Sequence, residues 1–274
     1  MSFLSIASPA LGRRVELAAP PARIVSLVSS ATETLFALGA GDAIVGVTPF
    51  CARYVAGLAA PVVADYVSAD LETVRAVRPD LVIATDGVQL PLARRLAEAR
   101  LPVVILPVPQ SRFGILENTV ALGALAGRLA AARALCDALE RGSAELVATA
   151  PARRPRGYAE LWFGRHQRRP GGRAFVHDLL QLAGLEPIHG DRPDGYAVPD
   201  LAEVARLAPE VVVVFSEPEH PIDAAELVRE RGWDRAFAPR VVASTVARGR
   251  NLIHDGPSFL DTARWLRAEL GLRP

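Results

Sequence analysis

The sequence predicts an α/β protein of two Rossmann-like lobes with mostly parallel sheets, bridged by one long α-helix, with a ligand cleft between the lobes. Three observations predict it. Short β-branched runs alternate with helical segments in both halves of the chain, the mark of a parallel sheet covered by helices. A helix-proline-strand unit is written twice, as ADLETVRAVRPDLVIA (69–84) and PDLAEVARLAPEVVVV (199–214). Between the copies, from Ser111 to about Thr149, alanine and leucine dominate and proline is absent.

In the first lobe RIVSLV (23–28) reads as a buried strand. TETLFAL (32–38) reads as a helix that Gly39 or Gly41 ends, and AIVGV (43–47) as a strand. Asp70 is placed to cap a helix carrying Leu71, Val74 and Val77 at helical spacing, which Pro79 stops. Strand LVIA (81–84), helix LPLARRLAEA (90–99) and strand VVILP (103–107) follow. The run from 111 to 150 predicts one long helix, with a break, if any, near Gly142. APARRPRG (150–157) reads as a linker. The second lobe restarts with strand YAELWF (158–163), helix AFVHDLLQLAG (174–184), helix DLAEVARLAPE (200–210) and strand VVVVF (211–215). Helix AAELVRERG (224–232), strand RVVAS (240–244) and helix SFLDTARWLRAELG (258–271) close the chain. The implied boundaries are 1–110, 111–150 and 151–274.

An offset of 130 residues maps Asp70 onto Asp200, Leu71 onto Leu201, Val74 onto Val204, Pro79 onto Pro209 and Asp80 onto Glu210. It also maps Tyr66 onto Tyr196. Chance likeness between amphipathic helices accounts for the apolar matches. It accounts less well for the proline, the cap and the tyrosine in one register. A period this long means two lobes, not a solenoid.

Composition narrows the function. Half of the 274 residues are apolar and the net charge is +1, so no global field draws the chain to nucleic acid or an anionic membrane. Every basic residue is arginine. The two cysteines, Cys51 and Cys136, belong to no CxxC or Cys/His pair, which points to neither a zinc site nor a disulfide framework. MSFLSIASPALGRR has no basic n-region and only a broken apolar run, unlike a signal peptide. No stretch is long and apolar enough to span a bilayer. LGAGDAIVG lacks a third glycine and lies after a helix, the wrong context for a dinucleotide fingerprint.

Open α/β sheets bind ligands beyond the carboxyl ends of their strands. In the first lobe the loops there carry Ser29 and Ser30, Phe50 and Cys51, Tyr66, Thr85 and Asp86. In the second they include RHQRRPGGR (165–173), Tyr196, SEPEH (216–220) and RGRNLIH (248–254). Tyr66 and Tyr196 each offer a flat apolar face with a polar tip, either to a planar ligand or to packing over their own helix. Arg165, Arg168, Arg169 and Arg173, and less strongly Arg250, either meet an anionic ligand through their guanidinium forks or form a solvated loop. His177 falls inside a helical pattern and reads as structural. His166, His189, His220 and His254 fall near strand ends, where one could ligate a chelated metal axially. No spacing supports a protein-only metal site.

RIVSLVSSATETLFALGAGDAIVGVTPFC followed by ADLETVRAVRPDLVIA resembles the cobalamin-binding members of the class III solute-binding proteins of ABC importers for vitamin B12, haem and ferric siderophores. The resemblance extends more loosely over nearly the whole chain, including GPSFLDTARWL. It implies a non-enzymatic protein with no cofactor of its own, which captures a corrinoid or another metal chelate and hands it to an ABC permease. It implies an extracytoplasmic location; a cytoplasmic chelate carrier, or an enzyme using the same cleft, is the alternative of another class. Tyr66, Tyr196 and Phe50 match aromatics that pack on the ligand, and Glu72 matches a carboxylate that docks onto permease arginines. The second docking position falls at Ala202, with Glu203 one residue away, a rotation of roughly 100° around a helix. Asp200 and Glu203 also spell a capping box. Thr85 stands where an aromatic is frequent in the family.

Overall fold

A computed structural model describes residues 3–217, 220–244 and 254–272. Two compact units result: Met1–Val108 with Gly114–Ala138, and Pro109–Phe113 with Leu139–Pro274.

The first unit opens with a hairpin absent from the sequence reading, β1 (Leu4–Ser8) against β2 (Arg13–Leu17). Its period-2 alternation buries Val15 and Leu17 and lays Leu4 and Ile6 on the same core cluster. Residues 4–17 are therefore part of the domain. β3 (Ile24–Ser26), α1 (Ser29–Ala37), β4 (Ile44–Val47), α2 (Leu71–Ala76), β5 (Leu81–Thr85), α3 (Leu90–Glu98) and β6 (Val103–Leu106) follow. The four strands form an all-parallel sheet in the order β4-β3-β5-β6. Both faces are covered. Ile24, Leu81, Ile83 and Val104 join one core cluster; Val25, Val82, Ala84 and Val103 join the other. Burial on both faces is why these strands read as continuous apolar runs.

The span expected as one long helix folds as two, α4 (Arg112–Leu125) and α5 (Leu129–Ala148). The break lies at Gly127, not near Gly142. Gly127 adopts φ +66°, and the Arg128 amide returns to the Gly123 carbonyl, a helix stop that glycine makes at no steric cost. Gly142 sits inside α5 without interrupting it; a Cβ there would lie 2.5 Å from Leu260. It serves close packing.

The second unit contains β7 (Arg156–Phe163), β8 (His166–Pro170), α6 (Phe175–Leu182), β9 (Glu186–Pro187), β10 (Tyr196–Ala197) and α7 (Leu201–Leu207). β11 (Val211–Ser216), α8 (Ala224–Glu230), α9 (Trp233–Ala236), β12 (Arg240–Ala243) and α10 (Phe259–Glu269) complete it. Its sheet runs β10-β8-β7-β11-β12, with β9 beside β7. β11 is parallel to β7 and β12, but β8 is antiparallel to β7 and β10. The expected basic loop is thus largely a strand. Gly164 turns the chain at φ +60°, and HQRRP returns along β7.

The duplicated segment keeps its backbone detail. Asp70 and Asp200 both cap, accepting from Thr73 N and from Ala202 N and Glu203 N. The residue before each proline is left-handed, Arg78 at φ +45° and Ala208 at φ +43°. The acid after each proline then holds the entry to a neighbouring strand, β3 or β7. Asp80 accepts from the Ala22 and Arg23 amides, and Glu210 from the Arg156 amide. A non-glycine residue in this conformation is strained, so Ala208→Gly should stabilise the fold by roughly 1 kcal/mol. An increase in the urea midpoint with an unchanged m-value would show it; a decrease would contradict the strain.

Candidate functional site

In the first unit every strand of the parallel sheet sends its carboxyl end to one edge. One buried amide joins the loops there. Gln89 Nε2 donates to the Leu27 carbonyl (2.9 Å) and the Tyr66 carbonyl (2.8 Å), and its Oε1 accepts from the Thr85 amide (2.9 Å). Tyr66 is thereby held by its backbone, and the residue remains 36% exposed. Phe50 meets it edge to face, with centroids 6.0 Å apart and planes at 83°. The Arg53 guanidinium lies 4.8 Å from the centroid of the Phe50 ring. Val67, Val88 and Val108, on loops that follow the strands, are also exposed. An aromatic pair with apolar neighbours and one cation is suited to a flat, largely apolar molecule.

Other expected residues of this unit are structural. Thr85 is buried and donates its hydroxyl to the Leu106 carbonyl (3.0 Å). Asp86 accepts from the Val108 amide (2.8 Å), tying two loops together. Ser30 is buried in the first turn of α1, and Cys51 is fully buried with the Thr32 and Thr48 hydroxyls at 3.2 and 3.4 Å from Sγ. Glu72 is exposed on α2 and pairs with Arg75 at 2.8 Å, a contact worth little in water. A groove of about 470 Å³, lined by Phe36, Asp42, Ile44, Leu58 and Pro61, lies by the amino end of β4, away from these loops.

In the second unit the arginines separate by strand alternation. Pairing of Leu161 with Arg168, and of Tyr196 with Pro170, puts Arg168, Pro170 and Tyr196 on one face of the sheet. Arg169 points to the other face, where it is buried and forks onto Asp194 at 2.6 and 2.9 Å. Its hydrogen bond holds the Asp194 carboxyl below the usual range. Arg169 therefore serves this internal pair. Arg165 and Arg173 are exposed, and Arg250 lies outside the described residues. Tyr196 is half-buried, and burial together with the Asp255 carboxylate raises its phenol well above the ordinary range.

Glu203 does not close the expected capping box. Its carboxylate turns to Arg192, with which it pairs closely, and stands 3.5 Å from His189 Nε2. His189 is buried beside Tyr158 (ring centroids 5.9 Å), and His177 is half-buried in α6. His166 and His220 are exposed and His254 is buried. Among the described residues no group of three or more His, Cys, Asp or Glu is placed to hold a metal ion.

One buried cluster escaped the sequence reading. Glu160, fully buried, accepts from Tyr158 Oη (2.6 Å), Trp162 Nε1 (2.9 Å) and both Arg231 Nη atoms (2.7 and 2.9 Å). Arg231 also reaches Gln167 Oε1 (3.1 Å). Burial and the Glu160 charge push the Tyr158 phenol far up. The signal was an acid at the centre of the alternating face Y-x-E-x-W.

The protein family described as periplasmic binding protein matches residues 24–240. The chain belongs to this family. A relative described as "Cobalamin-binding protein" from Halobacterium salinarum is 30% identical over 206 residues, covering 73% of this chain and 55% of that protein. The chain thus spans about half the length of the curated relatives it matches. A periplasmic heme binding protein of Vibrio cholerae superposes with a TM-score of 0.77 at 18% identity over 90% of this chain and 98% of that one. A periplasmic vitamin B12 binding protein of the same species gives 0.70 at 20% identity over 92% and 97%. A possible iron-binding solute-binding protein of Staphylococcus epidermidis gives 0.75 at 20% over 92% and 99%. These structural likenesses show the fold.

Two consequences follow for this periplasmic binding protein. Arg231→Met would leave Glu160 buried without its counter-ion, so it should cost about 3–5 kcal/mol in urea unfolding; a loss below 1 kcal/mol would show that water replaces the guanidinium. Burial lowers the His189 and His177 pKa values, and for His189 Arg169 and Arg192 add to the effect while Glu203 opposes it. The unfolded chain then takes up protons near pH 6.5 that the folded chain refuses. That stability is full above about pH 6.5 and is lost as pH falls through the lowered folded values. Asp194 and Glu210, also lowered, act the same way in a window below about pH 4. Urea midpoints should fall between pH 6.5 and 5, and less steeply in H177Q/H189Q; an unchanged slope would refute the assignment.

Proposed function

We propose that the chain binds a flat metal chelate, a corrinoid first among them, as the substrate-binding component of an ABC importer. The observation that carries this reading is the Phe50–Tyr66 pair, presented with exposed valines at the carboxyl edge of a parallel sheet. The cobalamin-binding description of the 30% identical relative favours the corrinoid. In this reading the aromatic and cationic groups of the first unit are Phe50, Tyr66 and Arg53, and those of the second are Tyr196 on β10 and Arg168 on β8. The chain captures its ligand without turning it over. The exposed carboxylate of Glu72 meets the permease, and the protein works outside the cytoplasm.

Haem or a ferric siderophore is the second reading. The half-buried Arg168 on the face of Tyr196, and Arg53 over Phe50, favour a ligand with an anionic rim.

Spectrophotometric titration with cyanocobalamin, dicyanocobinamide, haemin and a ferric siderophore separates these readings. Tyr66→Ala and Tyr196→Ala should each weaken the preferred ligand by roughly 1–3 kcal/mol. Wild-type affinity in both variants would overturn the aromatic contact, and catalytic conversion of the chelate would overturn simple capture.

A further inference from the structure

The segment that carries Tyr196 is fastened from two sides by groups that the sequence offered as ligand or permease contacts. Residues 187–195 fold back on themselves through Gly190 N to Pro187 O (3.2 Å) and Arg192 N to His189 O (3.1 Å). Three further backbone bonds lace them to the 170–173 corner: Gly171 N to Gly195 O (2.7 Å), Gly172 N to Arg192 O (2.9 Å) and Arg173 N to Asp194 O (3.0 Å). The approach is close enough to demand glycine. A Cβ on Gly171 would sit 2.1 Å from Asp194 Oδ1, and one on Gly172 would sit 2.4 Å from the Gly190 carbonyl oxygen. Arg169 grips the same loop from β8 through the two-pronged pair with Asp194, two residues before Tyr196. From α7, Glu203 grips it through Arg192, and its side chain is only 14% exposed.

We propose that Arg169, Asp194 and Glu203 are positioning residues that set the orientation of the Tyr196 ring, rather than groups that touch ligand or permease. The 170–172 corner is the seat, and the two ion pairs are the clamps. Arg169 and Asp194 face away from the side of the sheet that bears Tyr196 and Arg168, so they act on the ligand only through the loop. The inference rests on the proposed ligand reading for its binding readout, but not for its structural one.

Tyrosine-labelled protein tests it without ligand, because the chain has four tyrosines and Y196F assigns the Tyr196 ring signals. Asp194→Asn and Glu203→Gln should move the Tyr196 signals and leave those of Tyr66 in place. Tyr196 signals unmoved in both variants would overturn the proposal. Glu203→Gln acts through the other ion pair, from α7, and covers the case in which Asp194→Asn fails to fold. Titration with cyanocobalamin and haemin supplies the second arm. Each variant should weaken the bound probe at least fivefold, and the loss should vanish when combined with Tyr196→Ala. A full additional loss in the Tyr196→Ala background would mean that Asp194 or Glu203 contacts the ligand directly, and would also overturn the proposal. If wild-type protein binds neither probe nor a ferric siderophore while the Tyr196 signals respond as stated, the clamp stands and the ligand reading falls.

Discussion

A parallel sheet sends the carboxyl end of every strand to the same edge, and the arrangement of the first unit depends on that constraint. Loops that are distant in sequence are forced together there, and their backbone groups need partners. The side-chain amide of Gln89 supplies three at once, on Leu27, Tyr66 and Thr85. Because the Tyr66 backbone is held in this way, its ring can stay half out in solvent next to Phe50 without the loop collapsing over it. Rigidity beneath and apolar surface above have one origin.

The second unit meets the same demand with charge. Glu160 is fully buried between Tyr158 and Trp162 and opposite Val214, a placement tolerable because four donors converge on it. Arg169 with Asp194, and Glu203 with Arg192, are used in the same way near Tyr196. Charges that look free in one dimension are mostly spent on holding loops. Arg168 is the instructive contrast: one position along β8, it emerges on the opposite face, the one that bears Tyr196.

The two copies therefore share a frame and differ in furnishing. The cap at Asp70 and Asp200, the left-handed residue before each proline, and the acid that holds the entry to the neighbouring strand are all repeated. These features satisfy backbone groups, and any chain following this path needs them. The side chains at the strand ends satisfy no such common demand, and they diverge. Glu72 is solvated where Glu203 is enclosed.

The alternation of strands and helices, the doubling and the helix caps were legible in the sequence alone, because each depends on periodicity or on a residue acting within a few neighbours of itself. Beyond the first hairpin and the Glu160 cluster, three more things were not legible. The helix break at Gly127 rather than Gly142 turned on which glycine faces a neighbour and which ends a turn. The hairpin partner of β7 was hidden because its residues are charged, and a strand's partner rather than its composition decides its state. The roles of Arg169 and Glu203 turned on partners 25 and 11 residues away. Tertiary structure alone decides whether a charge finds an opposite charge in the interior or is left facing water.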